Sequence, residues 1–85
     1  MQSSREQAFT NAFRKAYKKL KGFDAERVKR TIADATLNPA SGKQLVTNRE
    51  RWSRRVGDLR IIYKFDDRTI TFIYCGDRDE VYDLP

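Results

Sequence analysis

Apolar residues recur every three or four positions in the first third of the chain, a spacing typical of amphipathic helices. In the first such segment they are Phe9, Ala12, Phe13, Ala16, Tyr17 and Leu20. Thr10 is a good N-cap for this helix and leaves residues 5–9 free to form a short first strand. The stripe also allows an earlier start at Ser4. We expect the start at Thr10, with Gly22 ending the helix.

A second helix is predicted from Asp24 to the residue before Pro39. Asp24 is a suitable N-cap because Phe23 before it and Val28 after it can close a hydrophobic staple. A proline pushes the preceding residue out of the helical region, so Asn38 should end the helix. The buried face should comprise Val28, Ile32, Ala35 and Leu37. A link of about three residues makes the two helices an antiparallel pair.

Beyond residue 50 the apolar period changes from helical to two, the spacing of β-strands. Gly57-Asp58 predicts a tight turn between strands over 52–56 and 59–65. A second turn over 66–68 leads to a strand over 69–75, and a short closing strand is expected over 80–82. The sequence thus predicts one α+β domain over residues 1–85. Its helical hairpin should pack on one face of a twisted, mainly antiparallel sheet of three to four strands, leaving the other face partly bare.

A two-residue turn fixes the register of the two strands and places Arg55 opposite Arg60 on one face of the sheet. Like charges directly opposed cost roughly 0.2–1 kcal/mol. Two converging guanidinium groups can instead bind a phosphate through charge-assisted hydrogen bonds. The alternative is two long side chains that splay into water. Alternation leaves Arg54 on the face that should meet the helices.

The charge of the chain favours a polyanionic partner. Lys and Arg number 18 against 12 Asp and Glu, a formal charge of +6, so nucleic acid is the leading partner class. The single cysteine cannot form an internal disulfide, and without histidine the common zinc ligand sets are absent. We expect neither a metal nor a cofactor. No signal peptide and no run of ~20 apolar residues is visible, so we expect a cytoplasmic protein without a membrane segment.

Two segments together resemble the RelE/ParE superfamily of toxins. The segment from Trp52 to Tyr63 is similar to the superfamily's aromatic-basic-x-basic-V-G-D-x-R-x-x-Y core, and residues 76–82 resemble its closing G-x-R-x-E-V-Y segment. The helical half and its exit at Asn38-Pro39 are similar as well, so the resemblance covers nearly the whole chain. In members that are ribosome-dependent ribonucleases, such positions form the active site. The matching residues here are Arg55, Arg60, Arg78 and Tyr82.

The resemblance implies a toxin of a toxin–antitoxin pair, and first of all an endoribonuclease that cleaves messenger RNA on the ribosome. Other members inhibit DNA gyrase without cleaving RNA, and a catalytically silent RNA-binding domain is a third reading. Ser53 stands where a second strand position is often basic, which favours the alternatives, whereas Arg78 and Tyr82 favour the ribonuclease. Further RNA contacts are expected at Lys43, Ser53, Arg54 and Lys64. The implied partners are messenger and ribosomal RNA and an acidic antitoxin that folds as it wraps the basic surface.

The chemistry of RNA cleavage limits the possible roles of these residues. Attack by the 2′-hydroxyl needs a proton acceptor, stabilisation of an anionic phosphorane and a proton for the leaving oxygen. Arginine stays protonated at neutral pH and suits charge stabilisation. In a chain without histidine, Tyr82 is the candidate for proton transfer, since nearby guanidinium groups favour its phenolate. Its other possible role is to close the sheet edge.

Overall fold

The computed structural model describes residues 5–46 and 48–77. Arg78, Tyr82 and the strand predicted over 80–82 lie outside the described residues. The elements in chain order are β1 (Glu6–Phe9), α1 (Asn11–Lys18), α2 (Gly22–Leu37), a 3₁₀ turn (Pro39–Ser41), β2 (Lys43–Gln44), β3 (Trp52–Val56), β4 (Leu59–Phe65) and β5 (Thr69–Asp77).

The strands form one sheet in the order β1-β5-β4-β3-β2. β1 runs parallel to β5, and the other neighbours are antiparallel. The α+β class, the helical hairpin and the mainly antiparallel sheet are confirmed, although the sheet has five strands rather than three to four. Neither described helix is long and apolar enough to cross a membrane.

Thr10 starts the first helix as predicted. Its side-chain oxygen accepts a hydrogen bond from the backbone N–H of Phe13 at 3.0 Å, as an N-cap does. The same hydroxyl donates to the carbonyl of Ile73 in β5 at 2.6 Å, which fixes the start of α1 to the sheet. The residues before Thr10 form β1, so the short first strand is also confirmed.

The junction between the helices differs from the prediction. α1 ends at Lys18, and Gly22 belongs to the next helix rather than ending the first. α2 begins two residues before Asp24, with Lys21 as its N-cap and without a side-chain capping bond. Phe23 is 73% exposed, so the expected hydrophobic staple does not form. Its ring instead lies 5.4 Å from the guanidinium carbon of Arg27.

The buried face of α2 agrees with the prediction at three of its four positions. Val28, Ile32 and Ala35 are buried, but Leu37 is 64% exposed, and Thr36 is buried in its place. The Thr36 hydroxyl donates to the carbonyl of Ile32 at 2.7 Å. This bond explains how the core admits a polar side chain at that position.

Both helices pack on one face of the sheet, the face that carries Leu59, Ile61 and Tyr63 of β4. The core comprises Phe13, Val28, Ile32, Ala35, Val56, Leu59, Ile61, Tyr63, Ile70, Phe72 and Cys75. Strict alternation along β5 would place Cys75 on the face opposite Phe72, but an irregularity in the β4–β5 pairing follows Tyr63–Phe72. Pairing resumes with Ile62 opposite Tyr74, so Ile73 is the extra residue of a β-bulge. The bulge moves Cys75 into the core and Tyr74 to the other face.

Candidate nucleic-acid interface

The β3–β4 hairpin sets the geometry of the site. Gly57 has a φ of +62° and is the only described residue with a positive φ, which fits a type II′ turn with glycine at its first central position. Val56 then pairs with Leu59, and Arg55 with Arg60, so the predicted register is confirmed. Residues directly opposite in an antiparallel pair have Cα atoms roughly 4.5–5.5 Å apart. The two arginines therefore leave the sheet side by side.

Two lysines extend this pair on the same side of the sheet. Lys43 pairs with Ser53, two residues before Arg55, and Lys64 follows Arg60 by four residues along β4. We call Lys43, Arg55, Arg60 and Lys64 the cationic face. No acidic residue occurs in β2, β3 or β4, so all the charged side chains of these three strands are basic. A row of cations in that setting attracts phosphates.

Arg55 and Arg60 differ in their immediate surroundings. Arg55 is exposed, and its Nε donates to the carbonyl of Gly57 at 3.0 Å, which turns its side chain toward the hairpin tip. Arg60 is half-buried and lies between Arg55 on β3 and Gly76 on β5. Gly76 is itself buried and has no side chain, so β5 places no side chain next to Arg60 at that position.

Ser53 lies at the centre of this side of the sheet but offers little surface for RNA. It is only 2% exposed, and its hydroxyl is 3.5 Å from the carbonyl of Lys43. Ile62, the next residue across the sheet, is 1% exposed. The middle of the second face is therefore buried rather than bare, and the charged groups surround it. The RNA contact predicted for Ser53 does not fit this burial.

Arg54 lies on the opposite face, below α2. Its guanidinium forms an ion pair with Asp34 and hydrogen bonds to the carbonyl of Asn38, at 2.8 Å, and to the hydroxyl of Ser41. Its side chain is 15% exposed. Burial lowers the pKa of Arg54, but its interactions with Asp34 and Tyr63 outweigh burial and raise the pKa overall. Arg54 therefore holds α2 and the 3₁₀ turn to the sheet, and the RNA contact predicted for it stays a prediction.

One further basic residue follows the alternation of the cationic face. Arg51 lies two residues before Ser53, and side chains two apart in a strand share a face. Its carbonyl accepts a hydrogen bond from the N–H of Leu45 at 2.9 Å, so the pairing beside β3 extends to this position. The predicted strand began at Trp52 and left Arg51 out. The alternation of side chains extends one residue before Trp52, and a strand predicted from that position would have included Arg51.

The fold and this side of the sheet define a small basic α+β domain with a row of basic residues on one face of its sheet. Residues 8–82 match the family model of the ParE toxin of type II toxin–antitoxin systems, parDE. The chain therefore belongs to this toxin family, within the RelE/ParE superfamily that its motifs resemble. Among the curated proteins compared, none matches the chain.

Solved structures of toxins share the fold. The toxin–antitoxin complex RelBE2 from Mycobacterium tuberculosis includes a chain that is 25% identical, with a TM-score of 0.80, over 89% of this chain and 100% of that one. A double arginine-to-alanine mutant of E. coli RelE in the free state is 19% identical, with a TM-score of 0.79, over 94% and 92% of the two chains. The Staphylococcus aureus YoeB dimer gives 19% and 0.75 over 87% and 97%.

Proposed function

We propose that this toxin cleaves messenger RNA on the ribosome and that the cationic face binds the RNA backbone around the scissile phosphate. The observation that carries the proposal is the direct pairing of Arg55 with Arg60. Opposed like charges weaken a sheet, and a phosphate between them replaces repulsion by charge-assisted hydrogen bonds. Lys43 and Lys64 would then hold the neighbouring phosphates of an extended strand.

The proposed roles follow from the chemistry of each group. Arg55 and Arg60 stabilise the extra negative charge of the phosphorane that forms when the 2′-hydroxyl attacks. The superfamily resemblance adds Arg78 as a third charge donor and Tyr82 as the group that moves a proton. The ribosome would hold the message in the conformation for in-line attack, which compensates for a site with little acid–base equipment of its own.

The solved relatives support a protein partner for this toxin. The complexes from M. tuberculosis and Methanococcus jannaschii each pair a toxin with a RelB antitoxin. We propose that this chain is likewise bound by a cognate antitoxin. The charge of +6 favours an acidic segment that orders on the basic surface as it binds.

Inhibition of DNA gyrase is the second candidate function. The matching family model is named for ParE rather than RelE, and superfamily members similar to ParE act on gyrase without cleaving RNA. Ser53, neutral and buried where a basic residue is often found, favours this reading as well. A gyrase inhibitor would use the fold and the positive charge without needing the paired arginines for chemistry.

Two assays on the purified toxin distinguish the candidates. Primer extension on a message bound to purified ribosomes should show new 5′ ends, and a gyrase supercoiling assay should show no inhibition. Tyr82→Phe should reduce single-turnover cleavage by about 10²–10⁴ without loss of ribosome affinity if the phenol moves a proton. A toxin that leaves messages intact and blocks supercoiling would overturn the ribonuclease proposal and establish the second candidate.

A further inference from the structure

The segment from Asn38 to Gly42 joins α2 to β2 and is bound by two side chains of the sheet. Arg54 of β3 donates to the carbonyl of Asn38 and to the hydroxyl of Ser41. Tyr63 of β4 donates its phenolic hydrogen to the carbonyl of Pro39 at 2.5 Å. The carbonyl of Pro39 also accepts a hydrogen bond from the backbone N–H of Gly42, at 3.5 Å. We call Arg54 and Tyr63 the clamp.

The clamp is built to stay closed at neutral pH. Tyr63 is completely buried, and burial raises the pKa of its phenol even though Arg54 lowers it, so the group stays neutral and keeps its hydrogen to donate. Pro39 is buried as well, and without the Tyr63 hydroxyl its carbonyl would keep only the 3.5 Å bond from the N–H of Gly42. Removing the Tyr63 hydroxyl therefore weakens the contact of the segment with the sheet at its middle.

The segment leads directly into the cationic face. Lys43 follows Gly42 and pairs with Ser53, so the placement of this lysine depends on how closely the segment approaches β3. A Cβ on Gly42 would collide with the Tyr63 hydroxyl and would lie 2.8 Å from the carbonyl of Ser53. The approach is thus so close that only glycine fits. Contacts on the helix-covered side of the sheet fix the position of a charge on the other side.

We propose that Arg54 and Tyr63 are positioning residues that act through residues 38–42 to place Lys43 where it meets an RNA phosphate. The proposal rests on the proposed function, because it assigns the cationic face to RNA. It gives Arg54, conspicuous in the motif but turned away from Arg55, an indirect part in RNA binding. It also explains why β2, only two residues long, can present a lysine in a defined place.

The test measures binding of a fluorescein-labelled single-stranded RNA oligonucleotide against salt concentration for the full chain and its variants. In a plot of log binding constant against log salt concentration, Lys43→Ala should make the negative slope shallower by about 0.7, the contribution of one phosphate contact on a single strand. Tyr63→Phe, which removes only the hydroxyl, should make the slope shallower by the same amount. Adding Lys43→Ala to Tyr63→Phe should then change nothing further. Arg54→Met should follow Tyr63→Phe if it folds.

Tyr17→Phe is the matched control, because Tyr17 also donates a partly buried hydroxyl to a backbone carbonyl, that of Ala25 at 3.4 Å. This variant should keep the full salt slope. Equal losses from Lys43→Ala with and without the Tyr63 hydroxyl would overturn the proposal, because they would show that Lys43 reaches the phosphate without the clamp.

Hydrogen exchange keeps the proposal testable if the chain binds no RNA. The Leu45 amide, bonded to the Arg51 carbonyl, reports the pairing beside β2, and the Asp66 amide, bonded to Thr69 at 2.9 Å, reports the far hairpin. Tyr63→Phe should speed exchange at Leu45 more than at Asp66. Equal changes at the two amides would refute the positioning role, whereas absent RNA binding with selective loosening would refute only the proposed function.

Discussion

Arg54 and Arg55 are neighbours in the chain and have opposite surroundings. Arg54 lies under α2 with a carboxylate, a carbonyl and a hydroxyl around its guanidinium. Arg55 is exposed on the other face, opposite a second arginine, and its one described hydrogen bond is to the carbonyl of Gly57. The two residues are adjacent in β3, yet the contacts of Arg54 stabilise the fold, whereas the position of Arg55 opposite another arginine does not.

A cluster of basic residues in a strand motif thus contains two kinds of charge. A sheet turns successive side chains to opposite faces, so only every second residue of Ser53-Arg54-Arg55 can meet the same ligand. The surroundings then separate structure from function. Arg54 has acceptors from α2 and the 3₁₀ turn, whereas Arg55 is exposed on the other face and pairs with Arg60 across the hairpin.

The largest expected effect is on catalysis. Arg60→Ala should slow message cleavage on purified ribosomes by about 10²–10³, because it removes a charge donor aimed at the phosphorane. Arg30→Ala, an exposed arginine of α2, removes the same charge away from the cationic face and should cleave at the normal rate. Equal loss from both variants would mean that total charge, rather than the paired site, determines activity.

The next effect is on the turn that separates the two arginines. Gly57→Val forces a branched residue into a left-handed conformation and should lower the free energy of unfolding by about 1–3 kcal/mol. Gly22→Val is the control, because Gly22 has no positive φ and a Cβ there meets nothing within 4 Å. Chemical denaturation measures both. Equal stability of the two variants would contradict the register on which the comparison depends.

The different surroundings of Arg54 and Arg55 predict opposite stability changes for their substitution by alanine. Arg54→Ala should destabilise the domain by about 1–3 kcal/mol, because it removes the ion pair with Asp34 and one hydrogen bond each to the carbonyl of Asn38 and the hydroxyl of Ser41. Arg55→Ala should change stability by less than about 0.5 kcal/mol, and relief of the repulsion from Arg60 favours a small gain. Thermal and urea unfolding should rank the variants in this order, and the reverse ranking would contradict the assignment of the two faces.

The smallest effect sharpens the boundary of the cationic face. Lys64→Ala should reduce the salt slope of single-stranded RNA binding by about 0.7 if Lys64 meets one phosphate. Lys29→Ala removes an exposed lysine of α2 and should leave the slope as it is. A slope that stays the same in Lys64→Ala would end the face at Arg60.

The hairpin and its arginine pair were predictable because local chemistry determines them. A two-residue turn with glycine permits one register, and the register places every side chain of β3 and β4. Thr10 was predictable for the same reason, since its hydroxyl caps the N–H of Phe13 three residues away. Where an interaction is completed within a few residues, the sequence contains both partners side by side.

Other features depended on partners distant in the sequence. β2 consists of two polar residues, and its strand conformation comes from pairing with β3. No pattern of apolar residues in the sequence predicts it. Phe72-Ile73-Tyr74 is apolar throughout and cannot reveal which residue is the bulge. The start of α2 at Gly22 has no capping side chain to mark it. The bonds of Arg54 with Asp34 and Asn38 span 20 and 16 residues and became visible only in the fold.

The bulge at Ile73 has a consequence for how the length of this chain can change in evolution. A lineage that lost Ile73 would keep Tyr74 opposite Ile62 and Cys75 opposite Ile61, so the sheet would tolerate the deletion. It would lose the carbonyl that holds the hydroxyl of Thr10. Related sequences that lack Ile73 should therefore also lack Thr10, although the two positions are more than sixty residues apart in the chain.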